Sequence, residues 1–419
     1  YFYLYFSYLR KRKTLPHEFF TNSMVRQLWE QNTDVVLVDT GNSYEGLCDY
    51  VNGKYISYTE EHPITMNPFA IKREELNIEK IGFLKNLIML IWKGTNGRIT
   101  KTEDHLIEDV ITEYYDAHFR TGKVKELSFN TFYEYSTARI PEIVRDNNLE
   151  GIDLATYNYL LKDFYKGGNH ELTLNENLDT ALFDETFIVF EIDSIKDDPL
   201  LFPLVTLIIM DVFIQKMRIK KNRKVLVIEE AWKAIASPMM AEYIKYLYKT
   251  ARKFWASVGV VTQEIQDIVG SPIVKEAIIN NSDVIMLLDQ SKFKERFDEI
   301  KAILGLTDVD CRKIFTINRL ENKEGRSFFR EVFIRRGQNA AVFGVEEPHE
   351  CYMTYTTERA EKEALKLYKR ELRCSHQQAI EAYCRDWDRS GISKSLPFAQ
   401  KVNQAGHVLN LQPTEKQYS

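Results

Sequence analysis

Glycine is thin at the start of this chain: of 18 glycines, none precedes Gly41. That excludes a G-x-x-x-x-G-K-[ST] phosphate-cradling loop from the segment where a nucleotide-binding core would carry it. Gly94 to Gly97 and Gly167-Gly168 do not repair the omission, because neither is followed by Lys-Ser or Lys-Thr. Cysteine is also sparse. Cys48, Cys311, Cys351, Cys374 and Cys384 are scattered, odd in number and without a C-x-x-C pair, which suits a reducing cytoplasm. Cys374, His376 and Cys384 lack the spacing of a zinc site. Long hydrophobic runs are missing too. The tyrosine-rich opening extends for about nine residues, less than half of the roughly 20 needed to span a bilayer. It has no initiator Met and reads as the start of a fragment. The run from Pro199 to Met210 is broken by Asp211 and followed by Lys216, Arg218, Lys220 and Lys221. It reads as a buried helix with a solvated basic end. Nor is there an excess of positive charge: 56 Lys and Arg stand against 61 Asp and Glu, net −5. No global footprint for nucleic acid exists. The clusters Arg10 to Lys13 and Lys216 to Lys224 read as solvated faces or tails, the alternative being a strip that contacts phosphates.

What is present is ordinary globular material. The 419 residues are 44% hydrophobic, 12% aromatic and 28% charged, enough for a nucleotide-binding core with a smaller inserted or appended unit. Val35 to Asp39, Phe187 to Asp193, Val225 to Glu230, Ser257 to Gln263 and Asp283 to Leu288 are short β-branched runs separated by helical patterns, the signature of a mostly parallel sheet. Between them, residues 77–180 carry amphipathic helices without a convincing strand, as an all-helical insertion would. The resulting division is an atypical segment 1–18, core 19–76, insertion 77–180, core 181–350, helices 351–390 and a flexible tail 391–419. Arg330 to Glu346 reads as a hairpin around Gly337-Gln338-Asn339.

The most informative run is Val225-Leu226-Val227-Ile228-Glu229-Glu230-Ala231-Trp232. Paired carboxylates beside an apolar strand need a cation or a proton. The run therefore reads as the Mg²⁺- and water-handling end of an NTPase, the plainer alternative being acids that face solvent or cap the next helix. Gln263 ends the following strand, where a γ-phosphate sensor would stand, and could also be a turn residue. Arg252 and Lys253 end a helix, where they either complement its dipole or supply an arginine finger to a neighbouring subunit.

Taken together, Phe19 to Gln27, VVLVDTGNSY at Val35 to Tyr44, Asn67-Pro68-Phe69, VLVIEEAW, TARK at Thr250 to Lys253 and VVTQE at Val260 to Glu264 resemble the TraG family of Bacteroidetes conjugation systems. These are cytoplasmic type IV secretion ATPases, and the likeness covers Phe19 to Arg370 of their carboxyl-terminal motor domain. The resemblance implies a RecA-like P-loop core of the FtsK and HerA type with a helical insertion. It also implies a homo-hexamer at the cytoplasmic side of the inner membrane, inner-membrane secretion partners, transferred DNA or a relaxosome, and ATP with Mg²⁺. By position it makes Glu229 the metal-associated acid, usually Asp in the family, Glu230 the catalytic base, Gln263 the sensor and Arg252 the finger. Where the family has its phosphate loop this chain has Arg10 to Glu18, in which Lys13 and Thr14 are a poor substitute and Pro16 removes an amide. A frameshift or truncation upstream would produce such a start. The leading expectation is an ATP-hydrolysing motor that energises DNA or protein transfer or pilus assembly. The alternatives are a degenerate binding subunit and a DNA-translocating motor of the same fold.

Overall fold

A computed structural model of the chain describes residues 3–6, 17–95, 97–177, 180–229, 238–262, 279–317 and 329–409. Nine strands form one sheet: β1 (Tyr3–Phe6), β2 (Thr33–Asp39), β3 (Lys54–Ser57), β4 (Phe187–Glu191), β5 (Arg223–Ile228), β6 (Ala256–Thr262), β7 (Val284–Leu287), β8 (Arg330–Arg336) and β9 (Asn339–Val345). Their order across the sheet is β3-β4-β2-β5-β6-β1-β7-β8-β9. The first seven of these are parallel, and β8 and β9 close the far edge antiparallel.

Side chains alternate along the strands, so each strand feeds two cores. Val36, Val38, Ile188, Phe190, Leu226, Ile228, Val258 and Val260 face one layer. It contains α3 (Ile78–Lys93), α4 (Lys101–Phe119), α5 (Phe129–Asp146), α6 (Leu154–Leu161), α7 (Glu171–Asn175), α8 (Leu201–Ile219) and α9 (Pro238–Ala251). Val35, Leu37, Phe187, Val189, Val225 and Val227 face the other, built on α1 (His17–Glu30) and α2 (Glu45–Tyr50). Parallel strands buried on both faces need apolar residues at every position, which is why these runs read as continuous rather than alternating. The chain has the RecA-like P-loop NTPase architecture, three layers around a mostly parallel sheet.

Helix starts in the first layer are set by side-chain caps. Asn77, Thr100, Ser128 and Asp153 each accept a hydrogen bond from an amide three residues on, satisfying donors that a helix terminus otherwise leaves bare. Beyond α10 (Phe297–Leu304) and α11 (Asp308–Ile314), the chain ends in α12 (His349–Tyr355), α13 (Arg359–Leu372), α14 (His376–Arg389) and α15 (Ser395–Ala405). These enclose a third core around Tyr368, Tyr383, Trp387 and Phe398. α12 lies so close to α2 that a Cβ on Gly46 would stand 2.3 Å from the Thr354 carbonyl oxygen, so only glycine fits there.

Three sequence expectations need correction. The opening segment is not outside the core: Tyr3–Phe6 is a strand in its middle, paired in parallel with β6 and β7. Residues 391–419 were expected to be a flexible tail, but α15 lies within them and buries Phe398, Ala399 and Val402 against its neighbours. Lys216 and Lys224 are not solvated. Lys216, fully buried in α8, pairs with Asp34 at 2.9 Å and donates to the carbonyls of Phe183 and Glu185. On the same helix Asp211 pairs with Lys80 of α3 at 2.8 Å. Charges on a helix buried nearly all round must find partners inside the protein, and these two tie α8 to the sheet and to α3. Among the described residues no helix is long and apolar enough to cross a membrane.

Lys216→Met leaves Asp34 charged and buried, with Asn222 at 2.6 Å as its remaining side-chain hydrogen-bond partner among the described residues. The expected loss is about 3–5 kcal/mol, read as a lower urea midpoint, whereas Lys216→Met combined with Asp34→Asn recovers much of it. Equal midpoints for the single and double variants would contradict this account.

Candidate active site

The carboxyl edge of the parallel strands collects acids. β4 ends at Glu191, β2 at Asp39, and β5 runs directly into Glu229. Asp39 is in register with Glu191, and Val38 with Ile228, so the three acids sit side by side on adjacent strands. All three are buried, and the Glu229 amide donates to the Val38 carbonyl at 3.0 Å, continuing the ladder past the end of β5.

The turn after β2 binds these acids in different ways. Asp39 Oδ2 accepts from the amides of Ser43 at 2.7 Å and Tyr44 at 3.3 Å. Glu191 accepts from the amides of Asn42 and Asp193 and from the Tyr55 hydroxyl. Tyr44, fully buried, donates its hydroxyl to Glu229. Burial and the charge of Glu229 push the Tyr44 phenol far above its usual range, so it stays neutral and acts as the donor. Opposite this turn lies the opening of α1, where Asn22 donates to the Ser43 carbonyl at 3.1 Å. From α13, Lys362 pairs with Glu45 at 3.1 Å on the outer side of the turn.

Asp39 is the odd member. Its Oδ1 is buried without a hydrogen-bond partner among the described residues, and the Glu191 carboxylate lies close to its carboxyl group. Burial, then the charges of Glu229 and Glu191, raise its carboxyl well above the ordinary aspartate range. A proton held between Asp39 and Glu191 satisfies both oxygens, and a cation nearby would remove the need for it. Among the described residues no three acids, histidines or cysteines are arranged to enclose a metal ion. The carboxylate oxygens of the edge are acceptors suited to the water shell of a hydrated cation.

Glu229 stands at this edge, two strands from β1. Arg252 does not. It lies in the turn Arg252–Phe254 before β6, at the amino edge of the sheet. The seven residues of β6 separate the two edges by roughly 20 Å. Glu230, Gln263, Lys13 and Thr14 fall outside the described residues. Topology nevertheless relates them: residues 7–16 connect the carboxyl end of β1 to α1, and Gln263 directly follows β6, the neighbour of β1. Asp39, Glu191 and Tyr44 were not singled out from sequence as site residues. The available signal was that two strand runs besides VLVIEE end in an acid.

Comparison with known proteins gives the family and the fold. The model of the TraG P-loop domain family matches residues 16–387. Protein TraC of Escherichia coli (strain K12) is 23% identical over 290 residues, 66% of this chain and 31% of TraC, so the chain spans about a third of that relative. Among solved structures, VirB4 of Thermoanaerobacter pseudethanolicus superposes with a TM-score of 0.62 at 19% identity, covering 84% of this chain and 91% of that one. The plasmid coupling protein TrwB, in complex with the non-hydrolysable ATP analogue ADPNP, gives 0.51 at 11% identity over 82% of this chain and 84% of that one. TrwB is also known in complex with ADP and Mg²⁺. At these identities the structural likeness establishes the fold alone.

The raised Asp39 carboxyl has a measurable consequence for stability. The folded protein holds this proton at pH values where the unfolded chain has released it, so its contribution is complete below the ordinary aspartate range and is lost as pH rises through the elevated folded value. Asp39→Asn keeps the acceptor for Ser43 and Tyr44 and replaces the proton by an amide donor. In metal-free buffer it is expected to match the parent near pH 4 and to exceed it at pH 7, by about 1.4 kcal/mol for each unit by which the carboxyl is raised. Urea midpoints across that range check this, and parallel pH profiles for the two proteins would contradict it.

Proposed function

Because the chain belongs to the TraG P-loop domain family, the conjugation-system ATPases, we propose that it is the motor part of a conjugative type IV secretion ATPase. It hydrolyses ATP to energise DNA or protein transfer or pilus assembly, as a ring of like subunits at the cytoplasmic face of the inner membrane. One observation carries this reading above the others. A buried glutamate, Glu229, ends a strand of a parallel sheet and is held by Tyr44 beside the opening of the helix that follows the central strand β1.

In this reading Glu229 faces the water shell of Mg²⁺, its position fixed by the Tyr44 hydroxyl. Bound Mg²⁺ supplies positive charge to the phosphoryl oxygens. Glu230, the next residue along, orients the attacking water and accepts its proton, and Gln263 at the end of β6 contacts the γ-phosphate. Arg252 is too far from Glu229 in its own chain to join them. It acts on the nucleotide of an adjoining subunit, stabilising charge that develops in transfer.

The composition of the segment between β1 and α1 supports a second reading, a catalytically degenerate binding subunit. Residues 7–16 contain no glycine and carry Pro16, so fewer backbone amides can approach phosphate than in a G-x-x-x-x-G-K-[ST] loop, and Lys13-Thr14 is the one place where a cation is followed directly by a hydroxyl residue. The two readings separate on one comparison. ATP turnover with Mg²⁺ is measured for this chain, for a version with a G-x-x-x-x-G-K-S loop in place of residues 7–16, and for Glu230→Gln in that version. The motor reading expects the loop to raise turnover and Glu230→Gln to lower it about a hundredfold or more. A restored loop that leaves turnover at background, or a Glu230→Gln variant as fast as its parent, overturns it.

The role of Arg252 across a subunit boundary has its own signature. In the loop-restored background, Glu230→Gln and Arg252→Ala proteins are each expected to be inactive. Mixed, they regain part of the activity, because an intact Glu230 then meets an intact Arg252 at some interfaces. Absence of any recovery, with assembly confirmed by sedimentation, removes Arg252 from this role.

A further inference from the structure

At the amino edge of the sheet, away from the acids, lies a cavity of about 760 Å³. It is bounded by the Arg252 turn, by Asp283 and Ile285 at the start of β7, and by Arg335, Arg336 and Gln338 at the turn of the β8–β9 hairpin. The elements that shape it are closely specified. Arg336 pairs with Asn339 across a two-residue connection, and Gly337 takes the positive φ of 57° that such a turn requires. On the other wall, the Arg252–Phe254 turn enters β6 through Trp255, which is 69% exposed and has a left-handed backbone with φ of 57°. A bulky residue in that region is strained, and strain of this kind is kept where neighbouring structure imposes it.

The charge inside the cavity is one-sided. Three guanidinium groups line it against the single carboxylate of Asp283. Arg335 is the most constrained of them: half-buried, it donates from one terminal nitrogen to the Gly305 carbonyl at 2.9 Å and makes no ion pair among the described residues. Burial lowers its pKa, with the charge of Asp310 pulling the other way. Arg252, exposed, likewise has no ion pair among the described residues. A guanidinium fork held beside a second arginine, in a cavity of small-ligand size, is suited to bidentate contact with pairs of phosphate oxygens.

We propose that this cavity is a binding site for a small phosphate-bearing polyanion, with Arg335 as its principal anchor and Arg252 as the second cation. The phosphates can come from a free di- or triphosphate or from the nucleotide of an adjoining copy of the chain. Only the latter source rests on the ring reading given above.

The test uses the intact chain and inorganic tripolyphosphate in magnesium-free buffer. If the source is a free polyanion, calorimetric titration gives one-to-one binding to the monomer, weakened about tenfold or more by Arg335→Gln, retained by Arg335→Lys and unaffected by Arg120→Gln on the exposed helical surface. If the source is an adjoining copy, ADPNP with Mg²⁺ promotes self-association of the parent in sedimentation, and Arg335→Gln abolishes that promotion while its thermal midpoint stays that of the parent. Either result supports the site. Tripolyphosphate binding that is absent or indifferent to Arg335→Gln, together with self-association indifferent to it, overturns the proposal. Because the first arm omits magnesium and does not use Glu229, it stands or falls separately from ATP hydrolysis.

Discussion

Negative charge that cannot be left unbalanced organises this molecule. Adjacent parallel strands deliver Glu191, Asp39 and Glu229 to one edge, and burial denies all three the solvent that would ordinarily dilute their repulsion. The turn after β2 answers with amides from Asn42, Ser43 and Tyr44 and with the Tyr44 hydroxyl. Those donors hold the carboxylates in place but bring no positive charge themselves, so a proton or a cation relieves the repulsion that remains.

The same constraint explains the rest of the core. Strands β2, β4, β5, β6 and β7 bury nearly every side chain they carry, so any charge on the central elements needs a specified partner. Lys216 and Asp34, and Lys80 and Asp211, meet this requirement on the helical side, joining α8 to the sheet and to α3. These pairs add little net stability relative to apolar residues of the same volume. Their effect is on specificity, because a shift of α8 by one turn would strand two charges at once.

How much of this was legible in the sequence depended on whether the signal was local. β2, β4, β5, β6 and β7 could be read from Val and Ile runs because strands buried on both faces write their burial into every position. β3 was missed because its four residues are short and half-exposed, and β1 because a tyrosine-rich opening resembles neither an alternating nor a β-branched run. Glu229 was legible as an acid at a strand end. Asp39 and Tyr44 were not, since their roles come from strand order, which places residues 185 apart in the chain within hydrogen-bonding distance. Lys216 was misread for the same reason: its neighbours in sequence are basic and exposed, and its partner lies far upstream in β2.

The two edges of the sheet are the last step of the argument. Parallel strands share one direction, so everything at their carboxyl ends is separated by the strand length from everything at their amino ends. The acids gather at one edge and Arg252, Arg335 and Arg336 at the other. Within a single chain this separation keeps opposite charges from neutralising each other, and neither set has a strong reason to be where it is. Between chains it becomes complementary: an acidic, cation-seeking edge on one copy can face a phosphate-seeking cavity on the next, and a nucleotide with its metal carries both of the charges that would join them. If copies of the chain assemble as proposed, the polarity of a parallel sheet gives their contact a head-to-tail sense, the heterologous kind that can close into rings.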